Sequence, residues 1–282
     1  MQYPFSSSLN NSPLVPSFLK SKPLIDENSA DFIFSITAWV LQNFDHEEFF
    51  KRTRLIAPSN DFFPGRVSSV QEKAQNIFEH KLTTTGLAHW PLELKPLHER
   101  KHNSDYQLPP SRQDGLANIQ RDSSSRASTA NDVGKAGQPL YVFYDPQQTL
   151  KPEDLSASYA HVMAQHMIIQ SGLQPAGGQQ FFSEASEILA SMMGFGVLLA
   201  NSAYTFRGGC GSCYNAMANR QPALTESDSV FVLALFCRLK GITDKEATRY
   251  LKKYLRGSYK RALKQIDERI GEVNGLKSLS SV

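Results

Sequence analysis

The chain has 282 residues, of which 40% are hydrophobic and 20% charged, with a formal net charge of +3. That is an ordinary globular composition, long enough for one large domain or two small ones with a sizeable core, and too mildly basic to point to nucleic acid by itself. The three cysteines, Cys210, Cys213 and Cys237, are too few for a secreted disulfide scaffold.

Residues 1–28 are rich in Ser, Asn and Pro and read as a flexible lead-in, with no basic and apolar succession of the signal-peptide kind. The segment 29–96 forms the N-terminal part of the globular unit. Within it "ADFIFSITAWVLQNF" (30–44) predicts an apolar helix with Ser29 as N-cap. "DHEEFFKRT" follows as a helical turn, and "RLIAPS" (54–59) as a strand or extended link. "SSVQEKAQNIFEHKLTTTG" (68–86) places Val70, Ala74, Ile77, Phe78 and Leu82 at helical spacing, with Gly86 as the stop. "HWPLELKP" (89–96) predicts an edge strand, because Pro91 cannot donate to a ladder.

Residues 97–138 are polar, of mixed charge and almost free of bulky apolar side chains, which reads as a long mobile insertion. A strand returns at "PLYVFYD" (139–145). Residues 152–171 and 180–204 then predict two helices that are apolar nearly all round, and such helices are core elements. "LTESDSVFVLALFCRLKG" (224–241) predicts a third, between Thr225 and Gly241, and Thr243 caps the next. The longest apolar run, 188–200, is too short and too rich in small residues to span a bilayer. The fold expectation is therefore α+β and mainly α: a central pair of buried helices within 139–241, a small strand element, and basic C-terminal helices over 242–282. The expected location is cytoplasmic, with no membrane partner.

Ionisable groups on the two central helices need a reason to be there. His161 and His166 lie on the first, Glu184 and Glu187 on the second. Residues four apart differ by about 40° around a helix and residues five apart by about 140°. His161 and His166 therefore face different ways, unless a π-bulge distorts their helix.

The order "NDFFPGR", a helix, an edge strand, a helix beginning "AH", then an acidic residue before "MGFGVLLANSAYTFRGG" and "LTESDSVFVLALFCRLKG" resembles a group of uncharacterised bacterial proteins similar to zincin-class zinc metallopeptidases. The resemblance spans roughly 30–96 and 139–241. It implies a His-Glu-x-x-His motif on the first core helix and an acidic ligand on the second, shortly before a Gly-x-Gly. By position, His161 matches the first histidine and Glu187 the acidic ligand, with Gly194 and Gly196 as the glycine pair. Val162 stands in place of the glutamate base and Gln165 in place of the second histidine.

A zincin needs three protein ligands, an open position for water and a carboxylate to take the water's proton. Valine takes no proton and glutamine is a poor zinc ligand, so hydrolysis by the usual route is expected to be lost. His161 is then either a core histidine hydrogen-bonded to Glu187 or Glu184, or a ligand to residual zinc together with Glu187.

"RGGCGSCYNAM" (207–217) offers Cys210 and Cys213 as candidate thiols. A papain-type nucleophile would need a histidine far downstream, and none follows Cys213. A thioredoxin-type pair would need a βαβ setting. What remains is an ordinary loop, or a route by which a thiol joins His161 in a new zinc site.

The segment 241–282 carries ten Lys and Arg against five acids, with Tyr250, Tyr254 and Tyr259 interleaved. This suits a solvated basic face, an acidic partner or nucleic acid. The sequence thus predicts a catalytically inactive, metallopeptidase-like protein that acts as a binding or regulatory module on an unknown protein partner, with no cofactor. Its alternatives are an atypical metal-binding hydrolase using His161 and Glu187 with a cysteine, and a nucleic-acid-associated protein.

Overall fold

The computed structural model describes residues 22–44, 46–59, 67–100, 139–204 and 219–279. Most of the lead-in and insertion, the whole of "NDFFPGR" (60–66), and the loop carrying Cys210 and Cys213 lie outside these ranges.

Helix α1 runs Glu27–Asn43, and α2 His46–Lys51. Ser29 lies inside α1 rather than capping it. The N-cap is Asp26, whose carboxylate accepts from the Ser29 N–H at 2.9 Å. A carboxylate there satisfies an orphan donor and also opposes the helix dipole. The end of the lead-in is tied down: Gln265 Oε1 accepts from Leu24 N–H and Gln265 Nε2 donates to Ile25 O.

Helix α3, Val70–Thr85, is bounded by Ser69, which accepts from Glu72 N–H, and by Gly86 at φ 72°. Leu87 N–H donates to Leu82 O across that end, the longer bond of a Schellman turn. Strands β1 (Leu92–Pro96) and β2 (Leu140–Tyr144) pair in parallel, with Leu92 opposite Leu140 and Pro96 opposite Tyr144. In a two-stranded sheet both strands are edges. Pro91, just outside β1, contributes only its carbonyl, which accepts from Leu140 N–H.

Helix α4 spans Pro152–Ser171 and packs on α3, β2 and the following helices. The second central helix is not continuous as the sequence suggests. It is α5 (Phe182–Ala190), a π-turn at Ser191–Phe195, and α6 (Gly196–Ser202). The break is at Gly194, with φ 103°. The extended link after α2 is its cause: Ile56 N–H donates to Gly194 O at 2.9 Å, and a Cβ on Gly194 would lie 2.2 Å from Arg54 O. Only glycine permits both that dihedral and that approach. Gly196 serves closeness of another kind, since its Cβ would stand 3.0 Å from Leu233 Cδ1 on α7.

Helix α7 (Glu226–Lys240) runs between Thr225 and Gly241, as its sequence predicts. Thr243 caps α8 (Asp244–Arg249), after which α9 (Arg256–Asp267) packs on α7, and α10 (Ile270–Ser278) on α1 and α7. One continuous apolar cluster joins side chains from Ile25 to Leu276. The fold is α+β and mainly α, with α4 and α5–α6 at its centre. The stretch Gln179–Ser202 is long and apolar enough to cross a membrane, but 83% of its apolar window is buried within the protein. Burial against α4 and α7, rather than shortness, makes it a core element.

Candidate functional site

Glu187 is the centre of the site. It lies on α5 with no exposed surface, in apolar surroundings where a lone carboxylate would be costly. Its partner is Arg220, whose side chain is 2% exposed: Arg220 Nη2 donates to Glu187 Oε1 at 2.8 Å. The other oxygen, Oε2, accepts from the backbone N–H groups of Ala223 (2.7 Å) and Leu224 (3.3 Å), just ahead of α7. Burial pushes the Glu187 carboxyl up, but the hydrogen bond and charge of Arg220, the nearby His161 and the Ala223 N–H outweigh it. The net result is a carboxyl below its ordinary range.

Arg220 is itself held from several sides. Its Nε donates to Ser202 Oγ (2.9 Å), Nη2 also reaches Leu199 O (3.4 Å), and its backbone N–H donates to Asp154 Oδ2 (3.3 Å). Nη1 is buried without a hydrogen-bond partner among the described residues. The arginine thus links α4, α5 and the end of α6.

Beside it lies a second polar cluster. Lys151 Nζ donates to Tyr204 OH (2.7 Å) and to Asn219 Oδ1, and Tyr204 OH donates to the same Asn219 oxygen. Lys252 Nζ stands 4.7 Å from the centre of the Tyr204 ring and donates to Asn201 O at 2.6 Å. Asp154 completes the group, its carboxyl raised mainly by burial.

His161 is near this ion pair but not bonded to either carboxylate. Its Nε2–H donates to Ser183 O at 3.1 Å, a backbone partner in place of the expected Glu187 or Glu184. Burial pushes its imidazole below the ordinary value, against the pull of the Glu187 charge, so the ring is neutral at pH 7. His166 faces β2 and hydrogen-bonds Tyr141 O at 3.0 Å. The two histidines therefore diverge, and α4 carries no bulge between them. The π-turn is on the other central helix.

Val162 packs against the core, and Gln165 is half-buried without a side-chain hydrogen bond to a described residue. Glu184 sits in the first turn of α5, where a carboxylate favours the helix N-terminus, and forms no ion pair with a described residue. Cys210 and Cys213 lie outside the described residues; Cys237 is buried in α7, its thiol pushed up to about 12 by burial.

The donor set does not fit a metal. Both oxygens of Glu187 are engaged, one of them by a guanidinium that already supplies the positive charge, and His161 Nε2 is committed to a carbonyl. Among the described residues no three His, Cys, Asp or Glu side chains are grouped to hold an ion. A carboxylate with lowered proton affinity, locked to arginine, is also a weakened general base near neutral pH.

Arg220, Asp154, Lys151, Tyr204 and Asn219 were not singled out by sequence. One signal was available: Arg220 is the only basic residue between Arg207 and Arg238, and Glu187 required a cation. No known protein family, curated protein or solved structure matches the chain.

Proposed function

We propose that the protein is a non-catalytic binding or regulatory module, built on a frame similar to that of zincin-like metallopeptidases, in which an arginine–carboxylate pair takes the position of a metal centre. The observation that carries this reading is the Arg220–Glu187 contact at 2.8 Å, in a site with 2% and 0% side-chain exposure. It is supported by Val162 and Gln165 at the positions where the resemblance implies a base and a second ligand. A guanidinium keeps its charge at any pH a protein tolerates and has no open coordination position for water. The pair therefore offers cohesion without an activated nucleophile. The mildly basic chain, its location in the cytoplasm and an unidentified protein partner belong to the same reading.

Metal analysis of the purified protein by plasma mass spectrometry, run beside a peptidase assay on unfolded casein, tests it. The expected outcome is zinc far below one equivalent and no hydrolysis above a no-protein control. Near-stoichiometric zinc that His161→Ala removes, or hydrolysis that Glu187→Gln abolishes, would overturn it in favour of an atypical hydrolase.

A further inference from the structure

Many basic side chains of the C-terminal region are used internally. Arg238 pairs with Asp267 at 2.6 Å, and Arg269 with Asp31 and Glu272. Lys252 donates to Asn201 O, and Arg256 to Leu251 O and Arg249 O. Four of the remaining ones lie just before and along α9. Lys253, in the turn before α9, and Lys260, Arg261 and Lys264 on α9 are exposed, and their side chains form no hydrogen bond or ion pair with a described residue.

At about 100° per residue, Lys260, Arg261 and Lys264 share one side of α9. The opposite side buries Tyr259, Ala262 and Ile266 against the core. Gly257, one turn before Lys260 and Arg261 on the same side of α9, is exposed, and an added Cβ there would meet nothing within 4 Å. The N-terminal end of the stripe is thus bare backbone open to close approach. Asp244, Asp267 and Glu268 line the cleft beside Lys260 and Lys264, and Asp267 is already neutralised by Arg238. Asp267 and Glu268 bound the stripe at the C-terminal end of α9, and Asp244 flanks it from the start of α8.

We propose that this stripe binds nucleic acid through its phosphate backbone, without reading sequence. A protein partner would be expected to need a desolvated apolar anchor within the contact, and α9 exposes no bulky apolar side chain beside these cations. A membrane surface would be expected to need apolar side chains on the exposed face of α9, and those of the helix point into the core. Phosphates need neither, because affinity comes from counterion release as Lys and Arg replace condensed cations. No residue of the stripe belongs to the Arg220–Glu187 site, so the inference stands apart from the proposed function.

Fluorescence anisotropy of the full chain with a labelled 20-base-pair duplex and the matching single strand, across 25–200 mM KCl, tests it. Four phosphate contacts predict log–log salt slopes of about −3.6 for duplex and about −2.8 for single strand. Between 50 and 200 mM salt those slopes correspond to losses of about 150-fold and about 50-fold. Lys260→Ala/Arg261→Ala/Lys264→Ala should leave a slope of about −0.9 on duplex. Lys245→Ala/Lys277→Ala, at exposed positions off the stripe, should leave it unchanged. Circular dichroism and melting confirm that each variant is folded. No binding at 25 mM salt, an unchanged slope in the triple variant, or stronger binding to phosphatidylserine vesicles than to either oligonucleotide would overturn the proposal.

Discussion

Replacing Arg220 with methionine keeps the length and apolar stem of the side chain and deletes its charge. Three donations vanish, to Glu187 Oε1, Ser202 Oγ and Leu199 O. Glu187 is left fully buried with only two backbone N–H groups on one oxygen. Removing one member of such a pair costs about 3–5 kcal/mol, mostly the penalty of the stranded charge. For a chain of this length that corresponds to a melting temperature lower by about 10 °C. Urea denaturation at pH 7 measures the free energy directly. Adding Glu187→Leu removes the stranded charge as well and should restore most of the loss, so the two substitutions should be strongly non-additive.

The pH dependence carries a sign. In the native protein the Glu187 carboxyl is held below its ordinary value of 4.5. The pair's contribution is therefore present above pH 4.5 and is lost as pH falls through the lower folded value. In Arg220→Met the largest opposing influence on desolvation is gone, His161 and the backbone donors alone remain against it, and burial pushes the carboxyl up. Protonation then relieves the variant, and its deficit relative to the native protein should narrow as pH drops below about 5. A variant within about 1 kcal/mol of the native protein at pH 7, or a deficit constant from pH 7 to pH 4, would refute this account of the ion pair.

Lys81 on α3 has no exposed surface, and burial pulls its ammonium down to about 7. Between pH 7 and the ordinary lysine value, the unfolded chain binds this proton and the folded chain does not, so stability should rise with pH. Lys81→Met should abolish that slope, and urea titrations at pH 7 and 9 should differ between the two proteins by roughly 2–3 kcal/mol. Gly194→Ala should be severely destabilising, about 3 kcal/mol or more by thermal melting, because left-handed strain adds to a clash with backbone. Gly196→Ala is tight only against the end of the Leu233 side chain, with the rest of that residue at ordinary contact distance, and should cost about 1–2 kcal/mol; equal costs at the two sites would contradict the roles given to them.

Several helix ends were legible because their determinants are local. Thr225 and Thr243 cap by reaching three residues ahead, and Gly86 and Gly241 end helices through their own dihedrals; Ser69, which caps α3 in the same way, was not singled out. Asp26 was missed in favour of Ser29 because both side chains suit an N-cap and only the path of the chain entering α1 chooses between them. The break at Gly194 was illegible for a different reason: its cause, Arg54–Ile56, lies far away in sequence. The divergence of His161 and His166 followed from helical geometry alone. The partner of Glu187 did not, because a buried carboxylate announces that it needs a cation without saying which residue supplies it.

Because its counter-charge is a side chain, this part of the core obeys no mass-action linkage to dissolved ions. A core closed by a bound ion gains stability with ion concentration and loses it to any competitor that binds the ion more tightly. Arg220 is present at one copy per Glu187 by covalent construction, and its effective concentration is fixed once the chain has folded. Its contribution should therefore be the same in ion-starved and ion-rich solution, and the assembly of the site is limited only by folding.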